Sequence, residues 1–296
     1  MYEFFYSRMD IGDSKSPLDF IFKTIDAHSA WDVVKTTYIP TPISGQNRLE
    51  ELWVQTNNTS TGEVISLQFY APYGLPLEVA YSRGTSLSDA WDSQPETPKD
   101  SISREGTKIN EVFITDWGLT LAPVYTSIVI SRDLIHVVFQ GTVDEEISLK
   151  RATLLYTVID KAHNFSDGVL FVTSHKSGKG YIGIHYNGYW YQEGFGNSNS
   201  ISGLQGRINA LANAHMFEKN YNTYGSYVAP VSIHCNTTTD GSDLSLELVG
   251  FLPSVYGKMT HQFPNLLSKE SVKGIKHIAL PIENIPLIDT LLYPIE

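Results

Sequence analysis

The sequence predicts a mainly β protein, an antiparallel β-sandwich or barrel with one amphipathic helix at about residues 203–220 and an extended C-terminal arm. Three observations support this fold class. Short runs rich in β-branched and aromatic residues recur along the 296 residues, turn-forming residues separate them, and residues 181–192 have the pattern of a tight hairpin. Charged residues make up 18% of the chain, below the roughly 25% of an average soluble protein.

The runs with strand character are short and closely spaced, which is typical of sandwiches and barrels. Turn residues precede several of them, as at residues 57–62, at Asp167-Gly168 and at Asp240-Gly241. The predicted strands are residues 51–55, 63–70, 77–81, 108–115, 125–131, 134–140, 153–159, 169–173, 181–186, 189–192, 227–235 and 244–251.

The clearest hairpin signal is Asn187-Gly188, because this dipeptide suits a two-residue type I′ turn and lies between two alternating segments. Large apolar or aromatic residues then face each other on both sides of the ribbon. The predicted cross-strand pairs are Tyr186 with Tyr189, His185 with Trp190, and Ile184 with Tyr191. Such a hairpin is either buried on both faces or docked against another surface.

One helix is predicted at about residues 203–220, because apolar residues recur there at steps of three and four. These apolar residues are Leu204, Ile208, Leu211, Ala212 and Met216. Ser202 followed by Gln205 forms a capping box at the start of this segment. A shorter helix is predicted at about residues 18–34, although the β-branched residues of that segment lower its helix propensity.

A break in composition divides the chain at residues 92–107, where Ile102 is the single aliphatic residue among polar residues, Pro and Gly. This segment is either a linker or a long exposed loop. The predicted organisation is an N-terminal β-rich domain (1–92), a linker or loop (93–107), a main β-rich domain with one helix (108–274) and the extended C-terminal arm (275–296).

The C-terminal arm alternates apolar stretches with proline. Pro264, Pro281, Pro286 and Pro294 prevent a helix and disfavour a central strand. Because the segment is strongly apolar, we expect it to pack along its own domain or along a neighbouring subunit.

Charge and cysteine content exclude several classes of function. The formal net charge of −11 repels polyanions and argues against direct binding of nucleic acid or an anionic membrane. The single cysteine, Cys235, excludes an internal disulfide and a multi-cysteine metal site. The first residues lack a signal-peptide pattern, and no stretch approaches the roughly 18 apolar residues of a membrane span, so we expect synthesis in the cytoplasm.

No motif in the chain identifies a reaction. His175 with His185, and His234 beside Cys235, match no known ligand spacing and are interpreted as structural. Residues 177–180 lack the full pattern of a phosphate-binding loop, and no G-x-S-x-G elbow occurs. The sequence therefore predicts no catalytic residue, no cofactor and no metal.

The chain resembles virion structural proteins of tailed bacteriophages, such as tail, baseplate, neck or decoration subunits. The resemblance covers the whole chain and lies in the acidic, Thr-, Ser-, Asn- and Tyr-rich strand series, Cys235, the aromatic hairpin 181–192 and the apolar segment 275–295. It implies a non-enzymatic subunit that contacts like or neighbouring protein subunits, forms a homo-oligomer within a larger assembly and is located in the virion. The residues expected to make these contacts are Tyr186, Tyr189, Trp190, Tyr191, Ile285, Leu287, Ile288, Leu291 and Leu292.

Two other functions fit the same sequence. A carbohydrate-binding or receptor-binding module would use the aromatic residues of the hairpin 181–192 as a stacking platform for sugar rings. A hydrolase on a β-scaffold would need a cleft with convergent carboxylates.

Overall fold

The computed structural model describes residues 1–10, 16, 18–41, 45–56, 65–71, 77–83, 108–112, 123–143, 148–158, 160–161, 169–175, 180–186, 189–195, 208–212, 218–219, 227–236, 246–259, 269–285 and 288–295. Within these residues the chain forms one α-helix and a series of β-strands. The helix is α1 (Leu18–Asp26). The strands are β1 (Glu3–Asp10), β2 (Asp32–Pro40), β3 (Asn47–Thr56), β4 (Ile65–Tyr70), β5 (Leu77–Arg83), β6 (Lys108–Val112), β7 (Pro123–Ser131), β8 (Leu134–Val143), β9 (Ser148–Val158), β10 (Asp160–Lys161), β11 (Val169–His175), β12 (Gly180–Tyr186), β13 (Tyr189–Phe195), β14 (Ile208–Ala212), β15 (Glu218–Lys219), β16 (Tyr227–Asn236), β17 (Leu246–Met259), β18 (Lys269–Val272), β19 (Ile275–Ile285) and β20 (Ile288–Pro294).

The predicted fold class is confirmed, because the described residues are mainly strands, strands pair antiparallel in each sheet, and there is one helix. Each strand predicted from the sequence coincides with an observed strand wherever the structure describes it. The backbone divides into two compact units, each with its own buried residues.

The first unit contains the described residues of 4–83 and 108–154. Its five-stranded sheet has the order β2-β3-β4-β5-β6. β1, β7, β8 and the first residues of β9 follow one another in a second sheet of this unit. The buried apolar residues of the unit include Leu52, Val54, Leu67, Phe69, Ile128, Ile130, Val137 and Phe139.

Helix α1 begins at a capping box that the sequence reading did not identify. The backbone N–H of Leu18 donates to Ser16 Oγ at 3.1 Å, and the N–H of Ser16 donates to Asp19 Oδ2 at 2.7 Å. Leu18, Ile21 and Ile25 form its apolar stripe and are fully buried. Because β2 begins at Asp32, the predicted helix of 18–34 is confirmed only in its first half.

The turn between β7 and β8 accepts hydrogen bonds from Trp31, which lies just before β2, and from Thr56, the last residue of β3. The indole Nε1–H of buried Trp31 donates to the carbonyl oxygen of Ser131 at 2.7 Å. The Thr56 hydroxyl donates to the carbonyl oxygen of Arg132 at 3.3 Å. These two bonds connect the backbone of the turn to the residue before β2 and to the last residue of β3.

The second unit contains residues 1–3 and the described residues of 155–295. Its larger sheet has the order β14-β16-β17-β20-β19-β18, with β10 added to β17 and β15 added to β16. β11, β12 and β13 are neighbours in that order within this unit. A buried cluster of Val228, Val272, Ala279 and Leu292, with Tyr256 packed against it, joins five strands of the larger sheet, β16 to β20.

The C-terminal segment predicted as an extended arm is a β-hairpin inside the sheet of its own unit. β19 pairs with β20 from His277–Pro294 to Ile285–Ile288, and β20 pairs with β17. Neighbouring residues on both faces are buried, including Ile278, Leu280, Leu291 and Leu292. The expectation that proline disfavours a central strand was wrong for Pro281, which lies within β19. Pro281 borders a bulge in the β19–β20 register, where a missing N–H is tolerated.

The helix predicted at 203–220 is wrong for the part that the structure describes. Residues 208–212 are strand β14, paired with β16 from Ile208–Cys235 to Ala212–Val231, and residues 218–219 are strand β15. The remaining residues of the predicted helix lie outside the described residues. A short apolar run fits either a helix or a strand, and here pairing with β16 decides in favour of the strand.

The predicted linker at residues 93–107 lies outside the described residues. The strands on either side of it, β5 and β6, pair with each other in the same sheet, with Leu77 opposite Val112. The division of the chain into an N-terminal domain (1–92) and a main domain (108–274) stays a prediction.

Deletion of residues 275–296 should abolish the cooperative unfolding of the second unit, because the hairpin supplies two interior strands of its sheet.

Leu292→Ala should lower the free energy of unfolding by roughly 2–5 kcal/mol, as expected for a fully buried leucine. Urea denaturation followed by circular dichroism measures both effects. Lys276→Ala on the same hairpin is the matched control, with an expected change within about 0.5 kcal/mol because Lys276 is exposed.

Trp31→Phe should lower the free energy of unfolding by roughly 1–3 kcal/mol, because it removes the donor to the Ser131 carbonyl and part of a buried side chain. Ser131→Ala keeps this bond, because the acceptor is a backbone oxygen. It removes only the part-buried bond from the Asp133 N–H to Ser131 Oγ and should cost less. Equal losses in the two variants, measured by urea denaturation, would contradict the role assigned to the indole.

Candidate functional site

The most organised polar constellation in the described residues surrounds Glu51 on β3. Cross-strand register places Thr37 of β2 opposite Glu51, Lys35 opposite Trp53, and Trp53 opposite Gln68 of β4. Because residues two apart on a strand share a face, these positions form one continuous patch across three strands. The patch is called the Glu51 cluster below, and its members are Lys35, Thr37, Glu51, Trp53 and Gln68.

Each oxygen of the Glu51 carboxylate accepts two hydrogen bonds. The Thr37 hydroxyl donates to Oε2 at 2.8 Å, and the Lys35 ammonium lies 3.5 Å from the same oxygen. The Trp53 indole N–H and the Gln68 amide N–H donate to Oε1. A carboxylate offers about four acceptor positions, so the acceptor capacity of Glu51 is filled by the protein itself.

Burial and hydrogen bonding act on Glu51 in opposite directions. Glu51 is 6% exposed, and this burial by itself raises the pKa of its carboxyl. The hydrogen bonds from Thr37, Trp53 and Gln68, with the charge of Lys35, together outweigh burial and lower the pKa below its ordinary value of 4.5. Glu51 is therefore ionised at neutral pH.

Lys35 makes two contacts at once. Its ammonium lies 4.6 Å from the centroid of the Trp53 ring, in addition to its contact with Glu51. A cation over an indole face is attracted by the ring quadrupole. The lysine thus covers the cluster from the solvent side, with about half of its side chain still exposed.

The chemistry of this cluster is structural rather than catalytic. A general acid or base at neutral pH needs a pKa near 7, whereas the environment of Glu51 moves its pKa in the opposite direction. Its oxygens have no acceptor position left for a metal or a substrate donor. Throughout the described part of the chain, no three His, Cys, Asp or Glu side chains gather in a way that could hold a metal ion.

A second group of buried polar residues lies on β7, β8 and β9. Thr126, Ser127 and Thr153 are almost fully buried, and their hydroxyl oxygens make no hydrogen bond within the described structure. His136 of β8 is also fully buried and lies diagonally across from Ser127, because Ser127 pairs with Val138 and His136 pairs with Val129. Since the Ser127 hydroxyl is not bonded to His136, the two residues do not form an activated nucleophile–base pair.

The predicted hairpin is confirmed in its register. β12 and β13 pair with Tyr186 opposite Tyr189, His185 opposite Trp190 and Ile184 opposite Tyr191, as the sequence indicated. The turn residues Asn187 and Gly188 lie outside the described residues. The predicted contact of these aromatic residues with another subunit stays a prediction, and so does the alternative that they bind a carbohydrate.

The contact residues predicted in the C-terminal segment lie in its hairpin. Leu291 and Leu292 are fully buried within their own unit, so they are not free to dock on a neighbouring subunit without unfolding it. Ile285 and Ile288 face each other in the register at the end of the hairpin, and Leu287 lies outside the described residues.

The sequence analysis did not identify the Glu51 cluster. One local signal was present, because Glu51 and Trp53 alternate within a run that was recognised as a strand. The other members come from β2 and β4, and only the register of the folded sheet brings them together.

No protein-family model, no curated protein and no solved structure matches the chain. Among the described residues, no helix has the length and apolar content that are needed to cross a membrane.

Glu51→Gln should lower the free energy of unfolding at pH 7 by roughly 1–3 kcal/mol, because an amide NH₂ then faces two of the four donors. Since the folded-state pKa of Glu51 is lowered, its contribution is fully present above pH 4.5 and is lost as pH falls through the folded-state value. The difference between wild type and variant should therefore shrink in acid. Urea denaturation between pH 3 and 7 measures it.

Asp26→Asn is the matched control, because Asp26 is an exposed carboxylate at the end of α1. It should change the free energy of unfolding by less than about 0.5 kcal/mol at neutral pH. A difference between wild type and Glu51→Gln that grows as the pH falls would contradict the assigned direction of the pKa shift.

Proposed function

We propose that this chain is a non-enzymatic structural subunit that works through contacts with other protein subunits. The resemblance drawn from the sequence specifies the proposal further, as a subunit of a tailed-bacteriophage virion in its tail, baseplate or neck. The observation that carries the general proposal is the location of the exposed apolar side chains.

Exposed large apolar residues lie at the margins of the sheets. Within the described residues, and apart from Met1, they are Tyr6 on β1, Val34 and Tyr38 on β2, and Ile275 at the turn between β18 and β19, each 42–54% exposed. β1, β2 and β18 are each the last strand of their sheet in the described structure.

Apolar side chains on an edge strand favour association with another chain. An edge strand presents backbone N–H and C=O groups that no neighbour satisfies, and apolar side chains beside them gain free energy when they leave water. A protein that acts as a building block uses such edges as contact surfaces. Polar clusters of the kind seen at Glu51 then serve to keep the sheets rigid.

The net charge of −11 fits the same function. Free subunits of like charge repel one another at long range, which keeps them dispersed until short-range contacts form. Salt weakens this repulsion, since the screening length falls to about 10 Å at 0.1 M.

Light scattering coupled to size exclusion, over a concentration series of the full chain, tests the proposal. We expect a mass above the 33.1 kDa of the single chain that increases with concentration and with added salt. A mass of one chain at every concentration and salt condition would contradict self-association.

A further inference from the structure

The outer side of β2 is an open sheet edge in the described structure. β2 is the first strand of the order β2-β3-β4-β5-β6, and no described strand pairs with its other side. None of its nine residues is buried, whereas most residues of the adjacent β3 are. The edge therefore lies beside a well-packed sheet without being covered by the described part of the chain.

The comparison with β18 shows how an edge is normally protected. β18 has four residues, and exposed lysines at 269, 273 and 276 surround it. Short length and lysine both discourage pairing with another chain. β2 is more than twice as long, and its single lysine, Lys35, lies over Trp53 and against Glu51 instead of guarding the edge.

We propose that β2 pairs with β2 of a second copy of this chain, antiparallel and across a two-fold axis through Thr36. This inference rests on the proposed function and specifies the surface that it would use. An axis at Thr36 produces the cross-subunit pairs Thr36 with Thr36, Lys35 with Thr37, Val34 with Tyr38, Val33 with Ile39, and Asp32 with Pro40.

The sequence of β2 is self-complementary in this register. The two exposed large apolar residues of the strand, Val34 and Tyr38, face each other twice in the dimer, and β-branched–aromatic pairs of this kind stabilise antiparallel strands. No like charges are opposed, because Lys35 faces Thr37 and Asp32 faces Pro40. A two-fold contact requires this kind of self-complementary patch.

The two register shifts of β2 leave a regular stretch around the same axis. The register with β3 shifts once between Val33 and Lys35 and once between Thr37 and Tyr38, so the regular stretch between the shifts is centred on Thr36. Pro40, which has no N–H to donate, lies at the end of the paired segment.

A double variant tests the contact in the full chain. Val34→Lys combined with Tyr38→Lys places lysine opposite lysine in both symmetric pairs, and both positions are exposed, so the fold should be retained. We expect the dissociation constant of the dimer to rise roughly tenfold or more, measured by sedimentation equilibrium. Ala27→Lys, at an exposed position just after α1 and outside the sheet edges, is the control and should leave this constant unchanged.

Cross-linking tests the register. Thr36→Cys brings two thiols together on the axis and should give a disulfide-linked dimer on mild oxidation, whereas Asp32→Cys faces Pro40 and should not. The wild-type chain, whose single cysteine is Cys235, measures the background level of disulfide-linked dimer.

The outcomes separate this inference from the general proposal. Wild-type association that persists in the double variant, or equal cross-linking of Thr36→Cys and Asp32→Cys, overturns the β2 contact while leaving subunit assembly in place. A wild-type chain that stays monomeric at every concentration, with no cross-linking of Thr36→Cys, overturns both.

Discussion

The buried carboxylate of Glu51 is the constraint on which the five-stranded sheet depends. An ionised group that is removed from water must receive hydrogen bonds from the protein, and here the donors come from three neighbouring strands. A slip of one residue in either register would turn these donors to the opposite face and leave the charge unpaired. The cluster therefore favours one register of β2, β3 and β4 over its neighbours, and Lys35 lies over it with about half of its side chain still exposed.

The contacts of Lys35 with Glu51 and Trp53 connect the interior of the sheet to its edge. A lysine on an edge strand normally keeps other chains away, but this one is held at Trp53 and Glu51, so β2 is left with exposed Val34 and Tyr38. The C-terminal hairpin shows the opposite arrangement. Apart from exposed Ile275, its described apolar residues with known burial are buried, and the edge beside it is short and lysine-rich. The two units thus differ in which of their edges remains available.

Much of the fold was predictable from the sequence, and the failures have physical reasons. Twelve of the twenty strands in the described residues, and the register of β12 with β13, followed from local alternation and from Asn187-Gly188. The helix predicted at 203–220 was wrong for its described residues, because residues 208–212 fit both periods and long-range pairing with β16 decided the outcome. The extended arm was wrong because a bulge accommodates Pro281 within the sheet. The Glu51 cluster could not be predicted, since its members are 14 to 17 residues away from Glu51 in two of the three strands and meet only through register.

The most direct test of the structural role of Glu51 is its own titration. The side-chain carboxyl carbon of Glu51, assigned by comparison with the Glu51→Gln spectrum, can be followed by ¹³C NMR from pH 7 downward. The cluster predicts a pKa below 4.5 in the folded protein, because its four donors stabilise the ionised form. A pKa above 4.5 would show that burial dominates, and would make Glu51 a carboxyl that can carry a proton instead of an ionised anchor of the sheet.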